Sequence, residues 1–106
     1  MVNRFDLYLV SLDDEPTPDP KITRPAVIIS PDEMNRYLET VIVAPLSTTT
    51  CRLPTRISTN FLNSERSIIL DQIRTVDKKR LVKKIGELSD SARQDVTKCL
   101  LEMFAL

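Results

Sequence analysis

Histidine is absent from this 106-residue chain, and glycine occurs only once, at Gly86. Without histidine, the protein lacks the usual general base near neutral pH and the commonest nitrogen ligand for zinc. A single glycine excludes phosphate cradles built from glycine-rich loops, and neither a P-loop nor a GxGxxG motif is present. Any catalysis must therefore use carboxylates, hydroxyls, arginines or lysines.

Long apolar runs and closely spaced cysteines are lacking as well. No apolar run approaches the roughly 18 residues of a membrane span, and the first ten residues do not read as a signal peptide. Cys51 and Cys99 lie far apart and form no metal-ligand spacing, so we expect buried or idle thiols in a reducing compartment. These absences predict a cytoplasmic protein with no membrane contact, no metal and no cofactor.

The charge of the chain is balanced overall but unevenly distributed. Residues 51–86 hold nine Lys or Arg against three Asp or Glu, a net charge of +6, whereas residues 1–50 have a net charge of −4. A locally basic middle is suited to meeting phosphates. An ordinary solvated charged face is an equally open interpretation.

Short β-rich segments dominate the chain. Buried strands are predicted for 26–29, 40–46 and 67–73, with the second ending at its proline, and 53–59 alternates like a half-exposed strand. Residues 4–12 have strand length and lead into an exposed loop at 13–20, which is rich in proline and acids. Turns are predicted at 60–66 and at 74–81.

Two helices are predicted beside these strands. One is short and follows Ser30 as N-cap, with Pro31 at its first position. The other begins after Ser89 and carries an apolar stripe suited to a core or a subunit interface. The stripe consists of Ala92, Val96, Cys99, Leu100 and Met103. A mainly β fold follows, with a strongly bent antiparallel sheet or partly open barrel and helices packed against it.

Polar residues adjoin the buried strands at several points. Arg24 precedes Pro25, and the proline restricts the backbone of both residues. The arginine side chain therefore extends from a rigid backbone. If neighbouring strands bring their ends together, a guanidinium, hydroxyls, a carboxylate and an amide converge at one rim and can polarise a phosphodiester. Each group is also a normal strand-end residue. The set is Arg24, Ser47, Thr48, Thr49, Thr50, Asp71, Gln72 and Arg74.

Five segments of the chain resemble the MazF/PemK family of toxin endoribonucleases in order and spacing. They are "RFDLYLVSLD", "KITRPAVIISPDEMNR", "TVIVAPLSTT", "LPTRI" and "LDQIRTVDKKRLVKKIGELS". The most specific are the blocks "RPAVIIS" and "LDQIRTVDKKRL", and the resemblance covers about residues 4 to 104. It implies a single domain over residues 1–106, a small SH3-like barrel of the CcdB/PemK type with its C-terminal helix packed on the sheet.

The same resemblance implies a function and partners. Family members act as homodimers and cut single-stranded RNA at short sequences, without a metal or the ribosome, usually leaving a 2′,3′-cyclic phosphate and a 5′-hydroxyl. An antitoxin with a flexible acidic tail occupies the RNA groove and neutralises them, and the two proteins often bind operator DNA together.

The resemblance also implies roles for individual residues. Arg24 matches the arginine that serves as general acid or base and steadies the phosphorane, and Ser47 stands where many members have a catalytic threonine. Asp71 matches an aspartate implicated in catalysis, and Asp19 falls where members commonly carry glutamate. Since arginine stays protonated at ordinary pH and is therefore a poor base, Asp19 or Asp71 is the candidate base. The predicted RNA-binding residues are Thr48, Gln72, Arg74 and Arg52.

Two departures from the family pattern keep other functions open. Phe5 replaces a usual glycine, and the first loop has lost its glycine. A catalytically silent relative that binds antitoxin or operator DNA is one alternative. A gyrase poison of the same fold, acting through its far C-terminal residues, is the other.

Overall fold

The computed structural model describes residues 1–12, 22–49, 53–61 and 63–105. The predicted loop at 13–20 and Cys51 lie outside these residues. Within the described ranges there are seven strands and two α-helices. The strands are β1 (Asp6–Ser11), β2 (Thr23–Ile28), β3 (Thr40–Ser47), β4 (Arg56–Phe61), β5 (Ser64–Ile69), β6 (Arg74–Asp77) and β7 (Leu81–Glu87). The helices are α1 (Asp32–Tyr37) and α2 (Asp90–Phe104), and 3₁₀ turns span Leu70–Gln72 and Lys78–Arg80.

The strands form one antiparallel sheet in the order β4-β5-β3-β2-β1-β7, and β6 also pairs with β3. The long strand β3 organises it. One edge of β3 pairs with β2 through Val27↔Ala44, and the other pairs first with β6 through Val43↔Arg74 and then with β5 through Leu46↔Ile68. This curled sheet with one C-terminal helix confirms the predicted fold class.

The alternation of side chains divides the core into two layers. Along β3, Ala44 and Leu46 face α2, while Val41 and Val43 face the opposite side of the sheet. The predicted stripe of α2 packs into the first layer, and Ser89 caps this helix by accepting a hydrogen bond from the Ala92 amide at 3.2 Å. Buried Cys99 belongs to this layer, and burial raises the pKa of its thiol. The sheet therefore has one face covered by α2 and one face available for a groove.

The start of α1 differs from the prediction. Pro31, not Ser30, occupies the N-cap position, and no side chain caps the helix. Ser30 is buried, and its hydroxyl bonds with the amide oxygen of Asn35 and accepts the Ile42 amide at 3.1 Å. A buried serine must satisfy its hydroxyl locally, so it joins β2, α1 and β3 instead of capping.

Several strand boundaries were also predicted wrongly, and one strand was missed. β3 continues through Pro45 to Ser47, and the proline is tolerated because β3 changes its partner there from β6 to β5. β4 and β5 extend into the segment predicted as a turn, and the second of them gives way to a 3₁₀ turn at Leu70. Residues 74–77 form β6 instead of a turn. No helix in the described residues is long and apolar enough to cross a membrane.

Phe5 adopts a backbone conformation that suits glycine. Its φ of 73° lies in the left-handed region, which is a rare conformation for a bulky residue and costs about 1–3 kcal/mol. The Phe5 amide donates to Ile28 at 2.6 Å, and the Phe5 carbonyl accepts from Leu88 at 3.0 Å. The guanidiniums of Arg4 and Arg93 lie 6.0 and 5.7 Å from the centre of its ring. These contacts hold Phe5 in this conformation.

Candidate functional site

A groove of about 210 Å³ lies on the sheet face opposite α2. Its floor is apolar and its rim is polar. The floor consists of Val10, Leu12, Pro25, Ala26, Val43, Pro45 and Val76, and the rim of Arg24, Gln72, Arg74 and Arg80. Among the described residues that line the groove there are three arginines and no carboxylate. The groove therefore attracts anions, and its floor offers a surface for an apolar or aromatic ring.

Arg24 reaches the groove from β2, where strand alternation places it on the same face as Ala26 and Ile28. Its backbone pairs with Val10 of β1, and its guanidinium donates to the Thr23 carbonyl at 2.8 Å. The side chain itself is exposed. The rigid backbone that the following proline predicts at Arg24 thus belongs to a strand inside the sheet, because β2 has a neighbouring strand on each edge.

Ser47 lies on the same face as Arg24. Alternation along β3 puts it on the side of Val43 and Pro45, and the β2–β3 register, which pairs Ala26 with Pro45, brings Ser47 opposite Arg24 when continued by two residues. The Ser47 hydroxyl accepts the Thr49 amide at 3.1 Å, which leaves its hydrogen to be donated. The predicted guanidinium and hydroxyl thus share one face of the sheet, and the exposed Thr48 follows Ser47 directly. Their joint role stays a prediction.

Gln72 and Arg74 line the groove from its other side. Gln72 ends the 3₁₀ turn after β5, and Arg74 begins β6 opposite Val43. Both are exposed, and neither side chain has a hydrogen bond or an ion pair within the part of the chain that the structure describes. Their donors and the Gln72 acceptor are available to a ligand.

Asp71 points away from the groove. Its carboxylate accepts from the Thr55 hydroxyl at 2.9 Å and from Arg56 Nε at 3.5 Å, both beside β4. The hydrogen bond from Thr55 is the main cause that lowers the pKa of the Asp71 carboxyl, and the hydrogen bond from Arg56 lowers it further. The side chains of the neighbours Asp71 and Gln72 therefore lie on different sides of the sheet, and the structure does not bring Asp71 to Arg24. A catalytic role for Asp71 stays a prediction.

The Asp71 contacts predict a stability that depends on pH. Because the folded pKa lies below that of the unfolded chain, the contribution is fully present at neutral pH and is lost as the pH falls through the folded value. We expect Asp71→Asn to lower the melting temperature at pH 7, and we expect its difference from the parent protein to shrink as the pH falls through the lowered pKa of Asp71. Thermal melts followed by circular dichroism over a series of acidic pH values measure both. A melting-temperature difference that stays constant over the whole series would contradict this assignment.

The basic segment 51–86 does not form one patch. Arg56 pairs with Asp71, and Lys84 bonds both the buried Asp6 at 3.3 Å and Glu87 at 3.0 Å. Only Arg74 and Arg80 of the described cations in this segment line the groove. The predicted site residues Asp19, Arg52 and Thr50 lie outside the described residues.

Arg80 is the groove residue that the sequence reasoning missed. In the sequence it is one of nine cations in the basic segment, and its place in the block "LDQIRTVDKKRL" did not by itself assign it a role. Its location at the end of a 3₁₀ turn, next to β7, places it at the rim. Among the described residues no group of three or more Asp, Glu, Cys or His is arranged to hold a metal ion.

The curled sheet and the single C-terminal helix define a small half-barrel protein with a groove lined by arginines on one sheet face. The model of the PemK-like, MazF-like toxins of type II toxin–antitoxin systems matches residues 3–104, and the chain belongs to this family.

Solved structures share the fold. An endoribonuclease in complex with its cognate antitoxin, from a mycobacterial species, is 22% identical with a TM-score of 0.83, covering 100% of this chain and 97% of the other. The Mycobacterium tuberculosis toxin MazF-mt6 is 24% identical with a TM-score of 0.78, covering 95% and 97%. MazF in a MazE–MazF complex from Deinococcus radiodurans is 16% identical with a TM-score of 0.79, covering 99% and 96%.

Proposed function

We propose that this protein is a toxin that acts as a sequence-specific endoribonuclease on single-stranded RNA, independently of metal and of the ribosome. The observation that carries the proposal is that Arg24 lines a groove with an apolar floor, on the sheet face to which strand alternation also assigns Ser47. Single-stranded RNA presents both groups that such a groove recognises, since its phosphates meet guanidiniums and its unstacked bases pack on apolar surfaces. Family membership and the endoribonuclease relatives support the same activity.

The proposed reaction is an internal transesterification. The ribose 2′-oxygen attacks the adjacent phosphorus, its proton goes to a base, and the bond from phosphorus to the 5′-oxygen breaks as that oxygen takes a proton. The products are a 2′,3′-cyclic phosphate and a 5′-hydroxyl. The step needs an aligned nucleophile, a base, an acid and stabilisation of charge at the phosphate, and none of these requires a metal.

The residues divide these roles by their chemistry. Arg24 clamps the phosphate, because a guanidinium is charged and offers several donors. It also gives a proton to the leaving 5′-oxygen, because an alkoxide is a stronger base than guanidine, and it regains that proton from water after the products leave. Ser47 donates its hydroxyl hydrogen to a phosphate oxygen. A carboxylate acts as the base. Asp71 already accepts hydrogen bonds from Thr55 and Arg56, so Asp19 is the better candidate. Arg74 and Gln72 bind the RNA strand, with Thr48 and Arg52 as further contacts.

Partners follow from the same surfaces. An antitoxin with an acidic segment fits a groove lined by arginines, and two of the relatives are complexes with antitoxins. We also propose that the protein is a homodimer, alone or with antitoxin on operator DNA, and that it acts in the cytoplasm. An apolar surface on α2 supports dimerisation, since Leu101 is 69% and Phe104 67% exposed. Light scattering that gives the mass of one chain would refute the dimer.

The test of this function is incubation of the purified protein with a long single-stranded RNA in EDTA, followed by mapping of the new 5′ ends. We expect cuts at one short motif and 5′-hydroxyl ends. Loss of cutting in EDTA would overturn the metal-independent mechanism. Intact RNA together with inhibited gyrase supercoiling would identify a gyrase poison, and intact RNA with antitoxin binding would identify a silent relative.

A further inference from the structure

We infer that Arg80 is a phosphate-binding residue of the groove and fixes the position of the RNA strand across it. This inference deepens the proposed function and rests on it for the identity of the ligand as RNA. Arg80 lines the groove together with Arg24, Gln72 and Arg74. Its role is separate from the facing pair Arg24 and Ser47, because it enters from the opposite side of β1.

The Arg80 side chain is anchored at one end. It leaves the last position of the 3₁₀ turn Lys78–Arg80, and its Nε donates to the carbonyl of buried Ser11 at 2.9 Å. Its two Nη groups have no hydrogen bond or ion pair within the described ranges. A planar guanidinium that is held through Nε still presents its two Nη groups as a fork, which matches two oxygens of a phosphate. Because the side chain is already anchored, it loses little conformational freedom when the phosphate binds.

The sheet places Arg80 and Arg24 on either side of one strand. Val10 of β1 pairs with Arg24 on β2 and with Leu81, the neighbour of Arg80, on β7. The backbones of β2 and β7 are therefore two strand spacings apart, which is about 10 Å. Val10 itself forms part of the apolar floor between them. An RNA strand with one base on this floor therefore has arginines on both sides for its flanking phosphates.

A purely structural role is the competing explanation. The bond from Arg80 to Ser11 ties the 3₁₀ turn to the end of β1, and its loss alone would reduce stability. It would not alter the salt dependence of RNA binding. That dependence counts the phosphates that the protein neutralises, with a slope of about −0.7 per contact for single strands.

The deciding experiment measures binding of a fluorescent 2′-O-methyl oligoribonucleotide of randomised sequence at several salt concentrations. This probe lacks the attacking 2′-hydroxyl and cannot be cleaved. We expect Arg80→Gln to bind about tenfold more weakly, as for one lost charge-assisted contact, with a salt slope shallower by about 0.7. Arg80→Lys retains the charge and should retain the slope.

Lys79→Gln is the matched control. It removes the same charge from the same 3₁₀ turn, but Lys79 lines a separate pocket with Arg36 and Tyr37. Its affinity should stay within about twofold of the parent protein, since no direct phosphate contact is lost. On cleavable RNA, Arg80→Gln should raise KM more than it lowers kcat, because the lost contact serves binding in both ground and transition states.

Several outcomes separate this inference from the proposed function. An unchanged slope in Arg80→Gln, with or without a lower melting temperature, overturns the inference even when the parent protein cuts RNA. A shallower slope in a protein that cuts no RNA supports the phosphate contact and refutes the nuclease. A parent protein that does not bind the probe at low salt refutes both.

Discussion

Arg24→Ala is expected to reduce RNA cleavage by about 10²–10³-fold, the usual effect of removing one preorganised group that stabilises transition-state charge. Arg24 is on β2, within the sheet and flanked by β1 and β3, so its backbone does not have to reorganise when substrate binds. The attacked phosphate gains charge in the transition state, and the guanidinium bonds more strongly to that form. The loss should therefore appear in kcat as well as in kcat/KM.

Arg24→Lys separates charge from geometry. Lysine restores the positive charge but not the planar fork, so we expect only partial recovery. Arg36→Ala is the control, because Arg36 is exposed on α1 and lines a pocket other than the groove. Single-turnover cleavage measures the chemical step, and circular dichroism verifies folding. Full activity in Arg24→Ala would refute the site assignment.

Ser47→Ala is expected to reduce cleavage by about 10–10²-fold, in line with loss of one hydrogen bond to a charged group, about 1.5–3 kcal/mol. The Thr49 amide fixes the Ser47 oxygen at 3.1 Å, so the hydroxyl hydrogen has a defined direction. Alanine removes this donor and leaves the strand unchanged. Ser47→Thr keeps the hydroxyl and adds only a methyl group, so its activity should be near that of the parent protein.

Ser58→Ala is the matched control for Ser47. It removes the same hydroxyl from an exposed position on β4, outside the groove. Cleavage rates for the four proteins, measured on one RNA carrying the mapped motif, give the comparison. Equal rates in Ser47→Ala and the parent protein would show that the hydroxyl does not contact the reacting phosphate.

Local sequence patterns correctly predicted the structural features that depend on a neighbouring residue or on the periodicity of a single helix or strand. The apolar stripe of α2 needs only a spacing of three and four residues, and the Ser89 cap needs only the next turn of helix. The runs at 26–29 and 40–46 are apolar enough that any compact fold buries them. The blocks around Arg24 and Asp71 carried the family resemblance, and the curled antiparallel sheet agrees with it.

Long-range pairing decided the features that local patterns missed. Residues 74–77 are polar and turn-like in sequence, and they form β6 because β3 offers an open edge to them. Ser30 has the chemistry of a cap, but burial turns its hydroxyl toward Asn35 and Ile42. Phe5 tolerates a glycine conformation only because distant residues hold its backbone and ring.

The site shows the same division. The sequence by itself determined which chemistry is possible, because a chain without histidine and with one glycine must rely on arginines, hydroxyls and carboxylates. Only the tertiary structure decided which of these groups meet. It put Ser47 on the same sheet face as Arg24, turned Asp71 toward Arg56 and added Arg80 to the rim. The physical reason is that strand register, which depends on the whole sheet, determines which side chains share a face.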